Sequence, residues 1–279
     1  MRIARYAVGD QIHFGTVELA VDAGSDIDQV ADLTGDPMAG PVNLTGARHP
    51  LAEVRLLTPT IPRSKIVGLA GPQVTAVRVG EGRPVGSGEG SEVALDAQTA
   101  VFLKPNTSII GPDEPVILPT LSHDPAVTGR LAVVIARICR QLPVERVPEV
   151  IFGYTVAHDV VARDLRMPDQ PWGQALGFDS FTPLGPWIIT HLSLEEAGTL
   201  ALSTSVGDEA GSRSSSRLMA WSIAQQVAYL SQIMTLLPGD VVLLAGPGQE
   251  LPIRPGQAVT TEIEEIGQLR NPLVAESVA

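Results

Sequence analysis

The chain has 279 residues and a formal net charge of −12, and so acidic a surface repels phosphate backbones, which argues against a nucleic-acid partner. Hydrophobic residues make up 44% of the sequence, as in globular proteins, and no apolar run reaches the length of a membrane span. Cys139 is the single cysteine, which excludes an internal disulfide, and the N-terminus lacks the apolar stretch of a secretory signal. These features predict a cytoplasmic protein.

The first 62 residues are predicted to form a small N-terminal β domain, and residues 63–279 a larger second domain. Alternating or β-branched residues between turn residues predict the strands of this region. They are Ile3–Tyr6, Gln11–Leu19 and Val54–Leu57, followed by Lys65–Leu69 at the start of the second domain. The glycine-rich segment Val79–Gly90 predicts a mobile surface loop, because such composition is typical of flexible linkers.

Beyond residue 100 the pattern is dense in strands, several of them continuous apolar runs that indicate burial on both faces. The predicted strands are Val101–Leu103, Val116–Leu118, Leu131–Ala136, Ile151–His158, Trp187–Thr190, Val241–Leu244 and Val259–Ile263. A short helix is predicted over Pro143–Glu149. A longer helix is predicted from a cap at Ser214–Ser216 to a point before Pro238, because apolar residues recur at helical spacing from Met219 to Met234.

Two sequence blocks carry a family resemblance. The run Ile151–Leu165, IFGYTVAHDVVARDL, is followed by Gly177–Trp187, GFDSFTPLGPW, and together they resemble the core signature of the fumarylacetoacetate hydrolase family. Further similar blocks occur in matching order at Phe14–Glu18, Val54–Gly68, Phe102–Pro105, Leu131–Ile135, Ala228–Gln232, Leu237–Val242 and Ile266–Pro272. Because their order and spacing match over most of the sequence, the chain is identified as a divergent member of that family.

The resemblance implies an α+β, mainly β fold: a mixed β-roll or sandwich with flanking helices, usually assembled as a homodimer. It implies enzymes that cleave C–C bonds in acylpyruvates and β-diketo acids, or that decarboxylate, hydrate or isomerise related 2-oxo acids. It also implies Mg²⁺ or a similar hard cation held by three carboxylates, which polarises an enolate-forming carbonyl.

The chain departs from the family at the implied metal ligands. Thr128 and Arg130 stand where the family carries its Glu-x-Glu pair, and the third ligand matches Asp159. Mg²⁺ keeps its hydration shell unless several anionic oxygens replace it, so one carboxylate is not enough. We therefore expect neither a metal ion nor another cofactor.

The other family positions are altered as well. The general-base histidine of the family has no counterpart in the stretch Ala70–Val74, so no imidazole accepts a proton there. Leu176 replaces the lysine that precedes Gly-Phe-Asp, and Gly246 replaces a threonine of the family. Metal-dependent hydrolysis by the family route is disfavoured.

Two interpretations of Asp159 stay open. It is a remnant paired with Arg130 or Arg163, or it works as a general base or orients an arginine that binds an enolate or carboxylate oxygen. His158 is its neighbour on a strand, so the two side chains point to opposite faces unless the chain bends. The candidate catalytic residues are Asp159, Arg130 and Arg163. The candidate substrate contacts are Lys104, Thr128, His158, Leu176 and Gly246.

Three functions are compatible with these residues. The first is a metal-independent enzyme of specialised metabolism that cyclises, isomerises or decarboxylates a β-dicarbonyl or polyketide-like small molecule, favoured by the apolar replacements around the site. The second is a catalytically inactive binding or structural homologue. The third is a conventional Mg²⁺-dependent acylpyruvate-type hydrolase with a rebuilt metal site.

Overall fold

The structure of the chain is a computed structural model that describes residues 1–23, 26–70, 100–167, 172–246 and 248–277. The predicted loop Val79–Gly90 lies outside these residues. The strands are β1 Arg2–Val8, β2 Gln11–Glu18, β3 Gln29–Leu33, β4 Leu44–Pro50, β5 Arg55–Leu57, β6 Ile66–Ala70, β7 Ala100–Lys104, β8 Ile109–Ile110, β9 Val116–Leu118, β10 Pro125–Ile135, β11 Ile151–Ala162, β12 Thr182–Ile189, β13 Ala201–Val206, β14 Glu209–Ser215, β15 Val241–Leu243, β16 Leu251–Pro252, β17 Ala258–Ile263 and β18 Gly267–Ala275. The α-helices are α1 Ala20–Ala23, α2 Gly173–Leu176, α3 Leu194–Ala197 and α4 Ile223–Ile233, and short 3₁₀ segments lie at Leu51–Glu53, Asn106–Ser108, Val144–Glu149, Arg163–Leu165 and Ser216–Leu218.

The strands form two sheets. The larger follows the order β4-β3-β2-β1-β12-β11-β10-β15-β6-β7, with β5, β8 and β16 attached to β1, β12 and β10. The smaller follows the order β14-β13-β17-β18-β9. Most pairs are antiparallel, whereas β6–β15, β8–β12 and β9–β18 are parallel. This architecture confirms the predicted mainly β fold. None of the helices in the described ranges has the length and apolar character needed to cross a membrane.

The strands of the first 62 residues continue the larger sheet. Strand β1 pairs with β12, with Arg2 opposite Ile189 and Ile3 opposite Ile188. The other side of β1 pairs with β2 over Ile3–Val8. The N-terminal strands therefore share one hydrogen-bonded sheet with the rest of the chain, and the predicted boundary at residue 62 stays a prediction.

The long helix starts later than predicted. Helix α4 begins after Ser222, whose hydroxyl accepts the backbone N–H of Gln225 at 3.2 Å while the Gln225 side chain accepts the N–H of Ser222 at 2.9 Å. The predicted cap at Ser214–Ser216 is wrong, because Ser214 and Ser215 belong to β14 and pair with β13. A reciprocal cap of this kind satisfies two N–H groups at the helix start, which places the beginning of the helix at this point.

A buried ion pair joins β6 to the start of β15. The Lys65 ammonium lies 2.6 Å from Oδ2 of Asp240, whose side chain is fully buried. Asp240 also accepts the backbone N–H groups of Lys65 and Leu237, at 3.1 and 2.8 Å. These bonds satisfy a carboxylate that would otherwise be costly to bury.

The two sheets approach closely at Gly129, in the middle of β10. A Cβ at this position would lie 2.0 Å from Oγ1 of Thr204 and 2.6 Å from Oγ1 of Thr261, two residues of the smaller sheet. The two threonine hydroxyls are hydrogen bonded to each other at 3.0 Å. The absence of a side chain at residue 129 therefore sets the spacing of the sheets beside residues 128 and 130.

We expect Gly129→Ala to lower the free energy of unfolding by about 1–3 kcal/mol, the usual cost of overpacking a core. Urea denaturation monitored by circular dichroism measures this difference. The matched control is Gly35→Ala, because a Cβ at Gly35 meets no atom within 4 Å. Equal stability of the two variants would contradict the close approach described at Gly129.

Candidate functional site

Three charged side chains meet on one face of the larger sheet. Lys104 is the last residue of β7, Arg130 lies in the middle of β10, and Asp159 lies in the second half of β11. Asp159 pairs with Thr128 across the β10–β11 ladder, and Arg130 is two residues further along β10. Because side chains alternate along a strand, Thr128, Arg130 and Asp159 point to the same side of the sheet.

Both carboxylate oxygens of Asp159 are occupied by cations. The Lys104 ammonium lies 2.7 Å from Oδ1, and Nε of Arg130 lies 2.7 Å from Oδ2. Lys104 also donates to the carbonyl oxygen of Val160 at 2.8 Å. The exposed fraction of the side chain is 0% for Lys104, 6% for Asp159 and 13% for Arg130. Of the two arginines considered as partners of Asp159, Arg130 is in contact with it, and Lys104 adds a second cation.

Arg130 is fixed by further contacts. Its Nη1 donates to the carbonyl oxygens of Leu244 at 3.0 Å and of Leu69 at 3.4 Å, and its guanidinium carbon lies 5.8 Å from the centre of the Phe102 ring. Its Nη2 makes no hydrogen bond to any residue in the described ranges. The guanidinium is therefore held on two sides and keeps one donor group for another molecule.

The cluster carries two positive charges and one negative charge. Burial alone would raise the pKa of Asp159, but the charges of Lys104 and Arg130, with their hydrogen bonds, hold it below the ordinary value of 3.8. Complete burial lowers the pKa of Lys104, an effect that its attraction to Asp159 opposes. With all three groups ionised, the cluster has a net charge of +1. A buried excess charge is expensive without a counter-ion, so the arrangement favours binding of an anion.

The residues at this position do not fit the divalent cation that the family resemblance implies. Thr128 and Arg130 replace two carboxylates, and the oxygens of Asp159 already contact an ammonium and a guanidinium at 2.7 Å. The described residues contain no group of three or more histidine, cysteine, aspartate or glutamate side chains placed to hold a metal ion. A divalent ion at Asp159 would lie against two fixed positive charges.

Four other predicted site residues make no side-chain hydrogen bond or ion pair with the cluster among the described residues. Arg163 follows the end of β11 and pairs with Asp124, so it is not a partner of Asp159. Thr128 is buried beside Asp159, and Leu176 is buried in the apolar layer on the same face of the sheet. Gly246 lies in the segment after β15, where a Cβ would meet no atom within 4 Å. The roles predicted for these residues stay predictions.

Lys104 and His158 are too deeply buried to touch a substrate. Lys104 is directed at Asp159 and Val160, so its effect on a bound molecule passes through the carboxylate. His158 lies on the opposite face of β11, between the two sheets, and is fully buried. We therefore assign neither residue a direct contact with substrate.

His158 is a neutral imidazole in the folded protein. Neither ring nitrogen has a hydrogen-bond partner of acceptable geometry among the described residues, although Asn271 is close enough to influence the ring. Burial lowers the pKa of His158 from 6.5 to about 3, and Asn271 opposes this only in part. The ring stays uncharged because a buried imidazolium without a partner would be costly.

This histidine should make stability fall in acid. The unfolded chain takes up a proton on His158 near pH 6.5 and the folded chain only near pH 3, so the unfolded state binds more protons between these values. We expect the free energy of unfolding to fall by up to about 1.4 kcal/mol per pH unit from this group as the pH drops below 6.5. Urea denaturation between pH 7 and roughly pH 4 should show a shallower decline for His158→Leu than for the unmodified chain. Parallel curves would contradict this assignment, and His123→Gln, a change at an exposed histidine, is the control.

The sequence did not reveal Lys104 as the second partner of Asp159. A local signal could have shown that Lys104 is buried, although not which residue it contacts. In the strand Phe102-Leu103-Lys104, the side chains of Phe102 and Lys104 are buried and that of Leu103 is exposed. A lysine at an inward position of an alternating strand needs a buried carboxylate, so the pattern predicts such a partner for Lys104 without identifying it.

Comparisons with known proteins agree with this architecture. Residues 75–274 match the family model described as Fumarylacetoacetate (FAA) hydrolase C-terminal, and residues 1–59 match the model described as Rv2993c-like, N-terminal. Protein Rv2993c of Mycobacterium tuberculosis is 37% identical over 274 residues, which cover 98% of each chain.

Two further relatives have names that state an activity. The crystal structure of 2-hydroxyhepta-2,4-diene-1,7-dioate isomerase from Mycobacterium marinum superimposes with a TM-score of 0.84 at 34% identity, over 100% of both chains. Oxaloacetate tautomerase Fahd2a, mitochondrial, of Rattus norvegicus is 32% identical over 247 residues, which cover 84% of this chain and 77% of that protein.

Proposed function

The chain belongs to the fumarylacetoacetate hydrolase family, and from this premise we propose that it is a metal-independent isomerase of a small β-dicarbonyl or 2-oxo acid. Isomerisation is preferred to cyclisation or decarboxylation because relatives that cover most or all of this chain are named as an isomerase and a tautomerase. The observation that carries the proposal is that two buried basic side chains, Lys104 and Arg130, share the one carboxylate of Asp159.

In this reaction the cluster would do the work of a metal ion. The carbon atom between two carbonyl groups loses a proton. The electron pair of the broken C–H bond then moves onto a carbonyl oxygen, which creates an enolate. Nη2 of Arg130, which has no bond to a described residue, is the donor that would bind this oxyanion. Fixed donors aimed at a developing negative charge contribute strongly to rate because they need no reorganisation during the reaction.

Asp159 and Lys104 would act as positioning residues. Asp159 holds Nε of Arg130 at 2.7 Å, which fixes the plane of the guanidinium. Lys104 occupies the other oxygen of Asp159 and so keeps that carboxylate ionised and in place. The proton that leaves the carbon passes to solvent, and a proton from solvent is added to the enolate oxygen, so one C–H bond is exchanged for one O–H bond and no C–C bond is broken.

The test is an enol–keto conversion assay on a panel of β-dicarbonyl and 2-oxo acids, followed by loss of enol absorbance. We expect acceleration of at least one acid, with the same rate before and after treatment with a chelator. Acceleration that disappears with the chelator and returns with Mg²⁺ or Mn²⁺ would establish the conventional metal-dependent alternative instead. Binding of these acids without acceleration of any of them would favour the catalytically inactive binding homologue.

We also expect the purified protein to contain substoichiometric divalent metal. After dialysis against metal-free buffer, elemental analysis should find far less than one Mg²⁺, Mn²⁺ or Zn²⁺ per chain, because the two cations at Asp159 oppose another positive charge. A stoichiometric metal that survives dialysis would refute this expectation. The double variant Lys104→Met, Arg130→Glu serves as a comparison, since it removes both cations and restores a carboxylate at residue 130.

A further inference from the structure

A buried glutamine holds the chain at the point where β15 leaves the larger sheet. Helix α4 buries Ile223, Val227 and Leu230, and Gln226 lies on the same buried side of the helix with 1% of its surface exposed. A buried side-chain amide is costly unless its donors and its acceptor are hydrogen bonded. Gln226 therefore has to find polar partners inside the protein.

The main partner of this amide is the backbone of Ala245, the second residue after the end of β15. Leu244 still donates its N–H to the carbonyl oxygen of Leu131 on β10, at 3.1 Å. Ala245 instead donates its N–H to Oε1 of Gln226 at 2.8 Å and accepts from Nε2 at 3.3 Å. Nε2 also donates to the carbonyl oxygen of Trp221 at 3.0 Å. The glutamine side chain thus takes the place of a neighbouring strand at Ala245.

One peptide group joins Gln226 to Arg130. The carbonyl of Leu244 and the N–H of Ala245 belong to the same planar unit, so the oxygen and the hydrogen point in opposite directions. Gln226 accepts from the nitrogen of this peptide at 2.8 Å, and the oxygen accepts from Nη1 of Arg130 at 3.0 Å. Without the bond to Gln226, the peptide is free to rotate and to turn its oxygen away from the guanidinium.

We propose that Gln226 is a positioning residue for Arg130. This role rests on the proposed function, in which Nη2 of Arg130 binds the enolate oxygen. Asp159 holds Nε, and the carbonyl oxygen of Leu244 lies closer to Nη1 than that of Leu69, at 3.0 Å against 3.4 Å. The bond to Leu244 limits rotation of the guanidinium beside Asp159, so it sets the direction of Nη2. Gln226 itself acts through the peptide and not through a contact with substrate.

Nitrogen-15 NMR of labelled arginine tests this positioning without a substrate. In the unmodified protein, the guanidinium of Arg130 should rotate slowly and give separate Nη1 and Nη2 signals, which are assigned by their loss in Arg130→Lys. In Gln226→Met, which keeps the side-chain length but removes the amide, the two signals should merge because rotation is faster. The matched control is Ser231→Ala, at another buried polar residue of α4, whose hydroxyl is bonded to Ala228 and Leu142 at 2.7 and 2.9 Å. Separate signals should persist in this control.

A loss of positioning should also lower the rate of the proposed isomerisation. Gln226→Met should reduce kcat by about 10–100-fold with little change in KM, because a small displacement of a catalytic group has an effect of this size. In the Arg130→Lys background, the same substitution should change kcat by no more than about twofold, because lysine has no second amino group for the peptide to orient. Ser231→Ala should leave kcat unchanged.

The outcomes separate the positioning role from the proposed function. If the Arg130 signals are merged in the unmodified protein or stay separate in Gln226→Met, the positioning role is overturned and the proposed function stands. The same holds if Gln226→Met lowers kcat equally with arginine and with lysine at residue 130. If the unmodified protein converts no acid, the proposed function is overturned, and the NMR signals alone decide whether Gln226 orients Arg130.

A second variant covers the case in which Gln226→Met does not fold. Gln226→Asn keeps the amide, but its side chain is one methylene too short to reach Ala245. The Arg130 signals should merge in this variant as well, and separate signals there would overturn the positioning role.

Discussion

Replacing Asp159 by asparagine should lower the free energy of unfolding by about 3–5 kcal/mol, the usual cost of leaving a buried charge without its partner. The variant would keep the side-chain volume but leave Lys104 and Arg130 facing each other, with exposed side-chain fractions of 0% and 13% and without a shared anion. Urea denaturation near neutral pH, followed by circular dichroism, measures the difference. Asp159 is ionised there in the folded and unfolded chain, so its contribution is fully present and is lost only in acid, as the pH falls through its lowered pKa.

Two further variants show whether the loss of stability in Asp159→Asn is caused by the loss of charge. Asp113→Asn makes the same substitution in an exposed ion pair with Arg270, at 3.6 Å, and should cost no more than about 1 kcal/mol. Lys104→Met leaves Asp159 with one cation and a neutral pair, so it should cost less than Asp159→Asn. If Asp159→Asn were as mild as Asp113→Asn, the carboxylate would not be holding two buried cations together.

Arg130→Gln should lower kcat/KM of the proposed isomerisation by about 10²–10³-fold, the effect of removing one donor aimed at a developing oxyanion. Glutamine keeps a hydrogen-bonding amide but loses the positive charge and the fork that joins Asp159 to the substrate. Steady-state kinetics on the best acid of the panel measures the change. A loss carried mainly by kcat would place the contact in the transition state, whereas a loss carried by KM alone would indicate simple anion binding.

Two further variants serve as controls for the kinetic assay of Arg130→Gln. Arg130→Lys keeps the charge, but one ammonium cannot reproduce the planar fork, so an intermediate rate is expected. Arg146→Gln removes an exposed arginine that pairs with Glu149 at 2.8 Å and should leave the rate unchanged. Full activity in Arg130→Gln would remove the guanidinium from the mechanism and with it the basis of the proposed function.

The buried strands were the part of the fold that could be predicted from the sequence. The predicted strand Val116–Leu118 coincides with β9, and Ile151–His158 recovers most of β11. The apolar run of β11 reflects burial on both sides, whereas β9 is an edge strand whose Ile117 is exposed and was found from its three consecutive apolar residues. Strands β13 and β14 gave no comparable signal, because their residues ALSTSV and EAGSRSS are largely small and polar. Strand β14 also lies at the edge of its sheet. The late start of α4 was missed because serines occur at both Ser214–Ser216 and Ser222, and only backbone pairing distinguishes a strand from a cap.

One of the two ion pairs of the candidate site, Arg130 with Asp159, could be predicted from the sequence, and the other, Lys104 with Asp159, could not. Arg130 and Asp159 could be associated because both fell in family blocks, and their contact is a direct consequence of the β10–β11 register. Lys104 lies 55 residues before Asp159, and its position depends on the path β7-β6-β15-β10 across the sheet. No local pattern encodes such a path.

The engagement of both lysines has a practical consequence for chemical probing. Lys65 and Lys104 are the two lysines of the sequence, and each ammonium lies within 2.7 Å of a buried carboxylate. Acylating reagents need an accessible, neutral amine, so lysine-directed cross-linkers and dyes should modify this protein poorly while it is folded. Carboxylate- or arginine-directed reagents would be the better choice for mapping its contacts, and rapid lysine acylation would serve as a simple reporter of unfolding.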